Sequence, residues 1–481
     1  MNNLTLKIKR GKRPGYLKIS DSIRTAITSG QLNRGDSLPS TRRLAEELGF
    51  HRHTVMNALD QLISEGWIKS IERKGYFVSS ELPDSYLLAS TPPKTKEAKN
   101  EFVWPEPDLV SKENIDELDL SQIKYSFQSG QPDLREFPYS DFRHYIKASL
   151  EKDGPRVLSY HYKEGHPKFL AELRKFLRRA RNLHDDKEII ITHGSQQSIY
   201  ITAQLCLKPG DHVAVERLAY PPAINALRSA GANIVAIDID NEGLIPESLE
   251  RQCKSRKIKL LYITPLHQYP TTATLPVERR LRLLELAQKY GFGILEDDYD
   301  HEFHYRAQPL PPLAASDTSG QVIYVSTFSK LLFPAARLGF AVVPKSLAKN
   351  FASYQKMTTS MHNTLIQDVV ARWMRSGDFD RYLRRIRRLY EERRDYMHNY
   401  LSELSETNDF DWQLPDGGMA IWLNLNKNSS KISNAGITKH VFAHPEADFR
   451  LDGKTGNHIR LGFAACRPHE IKRGLDLLLN I

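Results

Sequence analysis

Apolar residues recur at helical spacing within the first 80 residues of the chain. A first helix is indicated by four residues at spacings of three and four positions: Tyr16, Ile19, Ile23 and Ile27. A second helix over RRLAEELG ends at Gly49, and a third begins near Arg52 and ends at Gly66. Two short strands, WIKSI and YFVSS, then flank a turn at residues 72–75. The pattern therefore predicts three helices followed by a β-hairpin.

The pattern changes twice after this segment. Residues 81–120 are rich in Pro, Ser, Lys and Glu and show no sustained period, which predicts a flexible linker. From residue 121 onward, amphipathic helices alternate with short apolar runs that read EIIIT, HVAVE, NIVAI, KLLYIT, GFGILED and QVIYVS. Such alternation predicts a mostly parallel sheet that is covered by helices on both faces. From about residue 375, an Arg-rich helix, WLNLN, IRLGFA and a closing helix predict a smaller C-terminal α+β subdomain.

Composition excludes several classes of protein. A chain of 481 residues is too long for one compact core, and 40% hydrophobic residues exclude a wholly disordered chain. The three cysteines are scattered, so we predict inert thiols in a reducing compartment and no metal site. The basic N-terminus lacks the apolar segment of a secretory signal, and no apolar run is long enough to cross a bilayer. We therefore predict a soluble cytoplasmic protein with no membrane partner.

The positive charge of the chain is concentrated at its N-terminus. The chain has 68 Lys and Arg residues against 58 Asp and Glu, a net charge of +10. Residues 1–80 hold 14 basic and 7 acidic residues, whereas the remaining 401 residues hold 54 and 51. The surplus predicts an anionic partner, and its position assigns that partner to the N-terminal segment.

The N-terminal segment has the features of a DNA-binding unit. Two helices joined by a tight glycine turn can project the start of the second helix into a DNA major groove. Arginine there can bind guanine edges or phosphate, while Thr and His bind either one more weakly. A basic helical module that binds no DNA is the alternative, and helix pattern and charge alone leave it open. The predicted DNA contacts are Arg42, Arg43, Arg52, His53, Thr54, Lys74 and Gly75.

Four motifs strengthen the DNA-binding interpretation: SGxL, GxxLPSxRxLAxxLG, RxTVxxAxxxLxxEGW and GYFV. Together they resemble the winged helix of GntR-type bacterial regulators almost from end to end. The resemblance implies a winged helix-turn-helix over residues 1–80 that binds double-stranded operator DNA. It places Arg42, Arg52, Thr54 and the wing around Gly75 at the DNA. His51 stands where the family usually has a capping Ser or Thr.

Three strand ends in the larger segment carry residues that suit a phosphorylated cofactor. EIIIT runs into a small-residue turn and a helix, which offers backbone N–H groups to a phosphate. GILE is followed by a carboxylate pair and a tyrosine, and QVIYVS is followed by two hydroxyl residues and a lysine. Ligands of open α/β sheets bind beyond the carboxyl ends of the strands, so these groups can converge. The candidates are Gly194, Ser195, Gln196, Asp297, Tyr299, Thr327, Ser329, Lys330 and Arg337.

Pyridoxal phosphate requires this set of groups. Lys330 can form the Schiff base, and the Asp297 carboxylate can keep the pyridine nitrogen protonated, so that the ring withdraws electrons. The Tyr299 phenol can hydrogen-bond the ring hydroxyl, and Arg337 with the hydroxyl and turn residues can hold the phosphate. Each group alone also fits a solvated lysine, a surface turn or a metal-binding cluster. Their order at three strand ends predicts pyridoxal phosphate.

The motifs GSQQ, ERLAYPP, TPLHQYP, LEDDYDHEFHY, STFSKLLFPAARLGF and IRLGFA resemble the fold-type I aminotransferase domain of the MocR subfamily of GntR-type regulators. The resemblance covers roughly residues 125–481. It implies that Tyr220 lies near the cofactor ring and that Arg460 binds an amino-acid carboxylate. It also implies a homodimer in which Tyr160 reaches the phosphate of the neighbouring subunit.

Three positions depart from the family pattern. The ERLAYPP loop has Arg-Leu where family members often have Pro-Gly, which implies a different shape of the effector pocket. HQYPTT lacks the Asn-Pro-Thr-Gly motif, which leaves the contact of that Asn to His267, to Gln268 or to no residue. Thr272 replaces the usual Gly of the motif.

The predicted protein is multidomain. It has a winged helix-turn-helix at 1–80, a linker at 81–120 and an α/β, fold-type I, pyridoxal-phosphate-dependent aminotransferase-like domain at 121–481 with a small C-terminal α+β subdomain. We predict a transcriptional regulator that senses pyridoxal phosphate, an amino acid or an amine through exchange at Lys330. An active aminotransferase with an accessory N-terminal domain is the main alternative, and a residual half-reaction is compatible with either. Lys330 and Asp297 argue against a domain that has lost its cofactor.

Overall fold

The computed structural model describes residues 6, 14–82, 122–128, 130–162, 164–183, 187–306 and 308–479. The chain divides into two compact units, with the boundary at Glu106. The predicted linker lies outside the described residues except for Glu81 and Leu82, so its flexibility stays a prediction.

The first unit contains the three helices and the hairpin that the apolar pattern predicts. Its elements are α1 (Gly15–Thr28), α2 (Thr41–Leu48), α3 (Arg52–Ser64), β1 (Ile68–Ile71) and β2 (Gly75–Val78). The α2 helix is short because both of its ends are capped. Its N-cap Ser40 accepts a hydrogen bond from the backbone N–H of Arg43, and Gly49 ends it at a φ of 68°. The apolar stripes meet in one core that includes Ile19, Ile23, Leu44, Val55 and Leu59.

The strands of the second unit include all six predicted apolar runs. They are β3 (Tyr125–Ser126), β4 (Lys187–Thr192), β5 (His212–Glu216), β6 (Asn233–Ile237), β7 (Ile239–Asp240), β8 (Gly243–Leu244), β9 (Ile258–Ile263), β10 (Gly293–Asp298), β11 (Val322–Thr327), β12 (Gly339–Pro344), β13 (Asp411–Trp412), β14 (Ala420–Asn424), β15 (Val441–Phe442), β16 (His444–Pro445) and β17 (His458–Gly462).

Seven of these strands form the central sheet in the order β4-β12-β11-β10-β9-β5-β6. All neighbours in it are parallel except β12, which runs antiparallel to both β11 and β4. Because β12 directly follows the β11 strand end that carries Lys330, it returns the chain alongside that strand. The prediction of a mostly parallel sheet is therefore confirmed, with one antiparallel strand that the apolar runs did not single out.

Helices cover both faces of the central sheet. Neighbouring residues of one strand, such as Leu260 and Leu261, belong to two different buried apolar clusters, because successive strand side chains point to opposite faces. No described helix combines the length and apolar character needed to cross a membrane. The helices of this unit are Tyr139–Val157, Pro167–Arg181, Ser195–Cys206, Pro221–Ser229, Pro246–Ser255, Val277–Tyr290, Leu313–Ser316, Lys345–Thr358, Thr364–Ser376, Asp378–Ser405, Ser429–Thr438 and Pro468–Leu479.

The C-terminal part of the second unit carries a separate antiparallel sheet in the order β13-β14-β17-β16. The predicted runs WLNLN and IRLGFA correspond to β14 and β17. Their register places Arg460 of β17 opposite Trp422 of β14 and His444 of β16. This sheet therefore determines where the Arg460 side chain enters the protein.

Candidate functional site

The carboxyl ends of β5, β9, β10 and β11 border a cavity of about 770 Å³. Such a volume is typical of small-molecule and cofactor sites. The segment 444–453 of the C-terminal part closes another side of the cavity. Ten predicted cofactor residues line it: Gly194, Ser195, Gln196, Tyr220, Asp297, Tyr299, Thr327, Ser329, Lys330 and Arg337.

Asp297 has a carboxylate oxygen that is available to a ligand. Its Oδ2 accepts a hydrogen bond from the Tyr262 hydroxyl at 3.0 Å, whereas its buried Oδ1 has no partner among the described residues. Burial raises the pKa of Asp297 to about 7, and the Tyr262 hydrogen bond opposes this rise. A ring N–H at Oδ1 would satisfy that atom and favour the charged carboxylate. The site therefore fits the pyridine nitrogen of the predicted cofactor.

The two carboxylates that end β10 have different surroundings because successive strand residues face opposite sides of the sheet. Asp297 lines the cavity, whereas the Asp298 Oδ2 lies 2.7 Å from His301 Nδ1 and accepts a hydrogen bond from the Tyr324 hydroxyl at 2.7 Å. Although burial raises the pKa of Asp298, His301 and the neighbouring groups hold it well below its usual range. Asp298 therefore stabilises the strand end as a charged group.

Lys330 is half-buried in the cavity wall. Burial lowers the pKa of Lys330, and the carboxylates of Asp300 and Asp297 partly oppose this effect. A lowered pKa favours the neutral amine, which is the nucleophilic form. The space beside the amine is kept open by Gly130, where an added Cβ would lie 3.0 Å from Lys330 Nζ.

The turn before the helix Ser195–Cys206 forms a cradle for an anion. Gly194 adopts a φ of 109°, and no side chain in the described part of the chain caps the N-terminus of this helix. Its first backbone N–H groups and its dipole therefore favour a negative charge. The guanidinium of Arg337 and the Thr327 hydroxyl lie on the same side, each 3.9 Å from where a Cβ of Gly194 would stand. This combination fits a phosphate group.

Arg460 and Tyr160 are the predicted ligand-binding residues that do not line the cavity. Arg460 is fully buried, and the carbonyl oxygen of Pro270 accepts a hydrogen bond from its Nη1. The Nε and Nη2 of Arg460 make no hydrogen bond of normal geometry to a described residue, although the guanidinium is close enough to Tyr299 to oppose the rise in the pKa of that phenol. Tyr160 is 73% exposed on the surface of the second unit. A role for Tyr160 at a cofactor therefore requires a second subunit, as the resemblance implies.

The loop HQYPTT presents a residue that the sequence analysis missed. Neither His267 nor Gln268 lines the cavity. The Nδ1 of His267 lies 2.7 Å from Asp300, and the Gln268 amide donates to the carbonyl oxygens of Leu218 and Tyr269 at 2.8 Å. The Tyr269 side chain lines the cavity instead. Tyr269 directly precedes Pro270 and so stands at the position of the Asn in Asn-Pro-Thr-Gly. This position in the sequence could have identified Tyr269 as a site residue.

Tyr299 is hydrogen-bonded to this loop, and Thr272 is part of it. The Tyr299 hydroxyl donates to the backbone carbonyl of His267 at 3.0 Å, and burial raises the pKa of Tyr299 well above its ordinary value. The phenol therefore keeps its proton and can donate it in a hydrogen bond. Thr272 adopts a φ of 66°, a backbone conformation in which a β-branched residue is strained and glycine is not.

Glu216, at the end of β5, is a buried carboxyl that the sequence analysis did not identify. Its Oε2 accepts hydrogen bonds from the backbone N–H of Thr264 at 3.2 Å and from the Thr264 hydroxyl at 3.1 Å. Thr264 lines the cavity, so Glu216 supports the cavity wall from behind. Burial raises the pKa of Glu216 to about 8.

We expect the free energy of unfolding of the wild type to decrease as the pH rises from about 5.5 to 7.5, and we expect Glu216→Gln to reduce this decrease. The folded state favours the protonated form of Glu216, because the pKa of Glu216 is about 8 there, whereas the pKa of an unperturbed glutamate is 4.5. The stabilisation is complete below pH 4.5 and decreases as the pH rises towards 8, by about 1.4 kcal/mol per pH unit. Thermal unfolding midpoints of both proteins across this range measure the effect. The exposed Glu278→Gln is the control, and an unchanged difference between wild type and Glu216→Gln would contradict the prediction.

The predicted DNA contacts lie at the surface of the first unit. Arg42, Arg43, Arg52, His53, Lys74 and Gly75 are exposed, and Thr54 is half-buried. A depression of about 290 Å³ is bordered by the start of α2, by Arg52 of α3 and by the hairpin residues Lys74 and Gly75. The Arg52 Nε donates to the Thr41 hydroxyl at 3.2 Å, which joins α3 to α2.

Arg42 and Arg43 have partners within their own helix. Arg42 pairs with Glu46 at 3.2 Å, and Arg43 pairs with Glu47 at 2.6 Å. Exposed pairs of this spacing contribute little to stability and exchange readily for other anions. Both arginines can therefore turn to a phosphate, whereas Arg52 has no carboxylate partner among the described ion pairs.

Two protein families match the chain, one for each unit. Residues 15–78 match the family described as bacterial regulatory proteins, gntR family. Residues 122–478 match the family described as aminotransferase class I and II. The matched ranges agree with the winged helix and the aminotransferase-like fold that the motifs imply.

Two similar proteins are described as bacterial regulators. The probable rhizopine catabolism regulatory protein MocR of Rhizobium meliloti is 32% identical over 79% of this chain and 76% of its own length. The HTH-type transcriptional regulator TauR of Rhodobacter capsulatus is 32% identical over 79% of this chain and 78% of its own length. Among solved structures, the kynurenine aminotransferase of Pyrococcus horikoshii, in complex with PMP, KYN and KYA, has a TM-score of 0.71. It is 31% identical and covers 75% of this chain and 90% of its own.

Proposed function

This chain belongs to the MocR-type GntR regulators, in which a winged helix is fused to an aminotransferase-like domain, and on that premise we propose how it senses its signal. Its first unit is the DNA-binding domain of a transcriptional regulator. Its second unit binds pyridoxal phosphate and responds to an amino acid, an amine or the cofactor itself. The observation that carries this proposal is the cavity that Lys330, Asp297 and Arg337 line together.

Different residues of the cavity are suited to bind different parts of the cofactor. Lys330 would hold it through its amine, and Oδ1 of Asp297, which has no partner among the described residues, would accept a hydrogen bond from the ring nitrogen. The N-terminus of the helix Ser195–Cys206 and Arg337 would hold the phosphate. Tyr220 lies at the wall of the same cavity, beside the ring of Tyr269. When bound, the cofactor supplies a ring that withdraws electrons from an attached amine.

Arg460 is the residue that recognises a carboxylate on the effector. Its Nε and Nη2 are buried and make no hydrogen bond of normal geometry within the described part of the chain. A buried guanidinium with unsatisfied N–H groups is costly, and a carboxylate can satisfy two of them at once. We therefore propose an amino acid as the preferred effector.

The functional assembly in this proposal is a homodimer. The exposed side chain of Tyr160 supports it, because Tyr160 can contribute to a cofactor site only in a second subunit. A dimer carries two winged helices and binds an operator with two half-sites. Such a protein works in the bacterial cytoplasm, where the operator DNA is located.

We expect the protein to bind DNA upstream of its own gene or of the neighbouring gene, with an affinity that depends on pyridoxal phosphate and on one amino acid. An effector that binds two arrangements of the dimer unequally changes DNA affinity by about 5- to 150-fold. Fluorescence anisotropy at physiological salt, with the cofactor and each amino acid in turn, measures the effect.

The Lys330→Ala variant is the control for this experiment, since it should bind DNA without responding to the amino acid. An operator affinity that no amino acid and no cofactor changes would refute the sensing role and leave the DNA-binding role intact.

Aminotransferase activity is the second candidate function. The cavity holds the lysine and the carboxylate that the reaction requires, and the solved kynurenine aminotransferase is similar over 75% of this chain. Many turnovers with an amino acid and a keto acid, together with no DNA affinity at physiological salt, would favour the enzyme over the regulator.

A further inference from the structure

The Arg460 guanidinium lies directly behind the ring of Tyr269. Arg460 is fully buried and is separated from the cavity, whereas the half-buried Tyr269 lines it. The guanidinium carbon lies 4.5 Å from the centroid of the Tyr269 ring, which is the geometry of a cation–π contact. The ring therefore covers one face of the cation and forms part of the cavity wall in front of it.

The edge of Arg460 that suits a carboxylate is left unpaired. Nη1 donates a hydrogen bond to the carbonyl oxygen of Pro270, whereas Nε and Nη2 make no hydrogen bond of normal geometry to a described residue. The guanidinium also lies close enough to the Tyr299 phenol to oppose the rise in the pKa of Tyr299. Nε and Nη2 form one edge of the planar guanidinium, and they can donate two parallel hydrogen bonds to one carboxylate. An entering carboxylate therefore gains two charge-assisted hydrogen bonds that a neutral ligand cannot make.

The backbone of Tyr269 is held by two hydrogen bonds that a rotation of its side chain would leave intact. The backbone N–H of Tyr269 donates to the Thr264 hydroxyl at 2.8 Å, and its carbonyl accepts from the Gln268 amide at 2.8 Å. The ring packs edge-on against Tyr220, Tyr299 and Phe449, with centroids 5.3–5.8 Å apart. Rotation of this one ring would uncover Arg460 without moving the loop.

We propose that Tyr269 is a gate that closes the effector cavity over Arg460. In the closed position its ring shields the guanidinium from the cavity. A ligand with a carboxylate displaces the ring, because the two new hydrogen bonds replace the cation–π contact. A ligand without one gains nothing from displacing it, so Tyr269 selects amino acids over simple amines. This inference rests on the proposed role of Arg460 as the anion-binding group.

Acetate is a suitable probe because it is small enough to reach Arg460 and carries only the carboxylate. We expect Tyr269→Ala, as the full chain saturated with pyridoxal phosphate, to bind acetate about fivefold more tightly than the wild type. Tyr269→Phe should bind acetate more weakly than Tyr269→Ala, because it keeps the aromatic face over Arg460. Acetamide, the uncharged analogue, should bind all three proteins equally weakly. Calorimetric titration at constant ionic strength gives these affinities.

Equal acetate affinities of the wild type and Tyr269→Ala would overturn the gate. Weaker binding by Tyr269→Ala would overturn it too, since the ring would then position the guanidinium. If circular dichroism shows that Tyr269→Ala is unfolded, Tyr269→Leu takes its place, because it fills more of the space without an aromatic face.

A second substitution separates the gate from the role of Arg460. Adding Arg460→Gln to Tyr269→Ala should abolish the gain in acetate affinity. If the double variant still binds acetate as tightly as Tyr269→Ala, Arg460 is not the anion-binding group, and the proposed carboxylate site fails together with the gate. If Arg460→Gln alone weakens acetate binding while Tyr269→Ala changes nothing, only the gate fails.

Discussion

The Lys330→Ala variant should lose the visible absorbance that the wild-type protein gains when it is mixed with pyridoxal phosphate. The absorbance requires a covalent bond between the cofactor and an amine, and Lys330 is the one lysine among the described residues that line the cavity. Burial lowers the pKa of Lys330, which increases the neutral, nucleophilic fraction of its amine. We expect a loss of about tenfold or more in the absorbance per protein at equal cofactor concentration.

Lys349→Ala is the matched control, because Lys349 is an exposed lysine on the helix Lys345–Thr358. Its absorbance should equal that of the wild type. If Lys330→Ala kept the full absorbance, another amine would hold the cofactor, and the assignment of Lys330 would be wrong. Circular dichroism of both variants distinguishes loss of the amine from loss of the fold.

The Arg52→Ala variant should bind operator DNA about 10- to 100-fold more weakly than the wild type. Arg52 is exposed at the first position of α3, the helix that the winged-helix resemblance places in the major groove. Its side chain is held by the Thr41 hydroxyl and not by a carboxylate, so its remaining N–H groups can bind DNA. The visible absorbance should not change, because the cavity of Lys330 is in the second unit.

Arg52→Lys distinguishes the two kinds of DNA contact. Lysine keeps the charge but lacks the planar fork that binds a guanine edge. If Arg52 reads a base, Arg52→Lys should bind nearly as weakly as Arg52→Ala, and sequence preference should relax. If Arg52 binds phosphate, Arg52→Lys should keep most of the affinity. Simultaneous loss of DNA binding and absorbance in Arg52→Ala would indicate misfolding and would contradict a separate DNA-binding role.

The sequence predicted those parts of the fold and of the site that depend on residues close together in the chain. The apolar period of the first unit predicted its helices, because a helix buries residues that are three and four positions apart. Asp297 and Lys330 were found because each follows an apolar run, and the carboxyl ends of parallel strands meet at one edge of a sheet. The apolar period could not separate Asp297 from Asp298. Their opposite surroundings follow from the strand register within the folded sheet.

The sequence by itself determined the two kinds of domain, the order of the strands along the chain and the set of groups that a phosphorylated cofactor requires. These features depend on neighbours in the chain, where apolar spacing and motif order carry the information. Only the tertiary structure decided that β12 is antiparallel, that Glu216 is a buried acid and that Tyr269 covers Arg460. Arg460 and the Pro270 carbonyl that it binds are 190 residues apart. Contacts over such a separation arise from packing between sheets, and no local period encodes them.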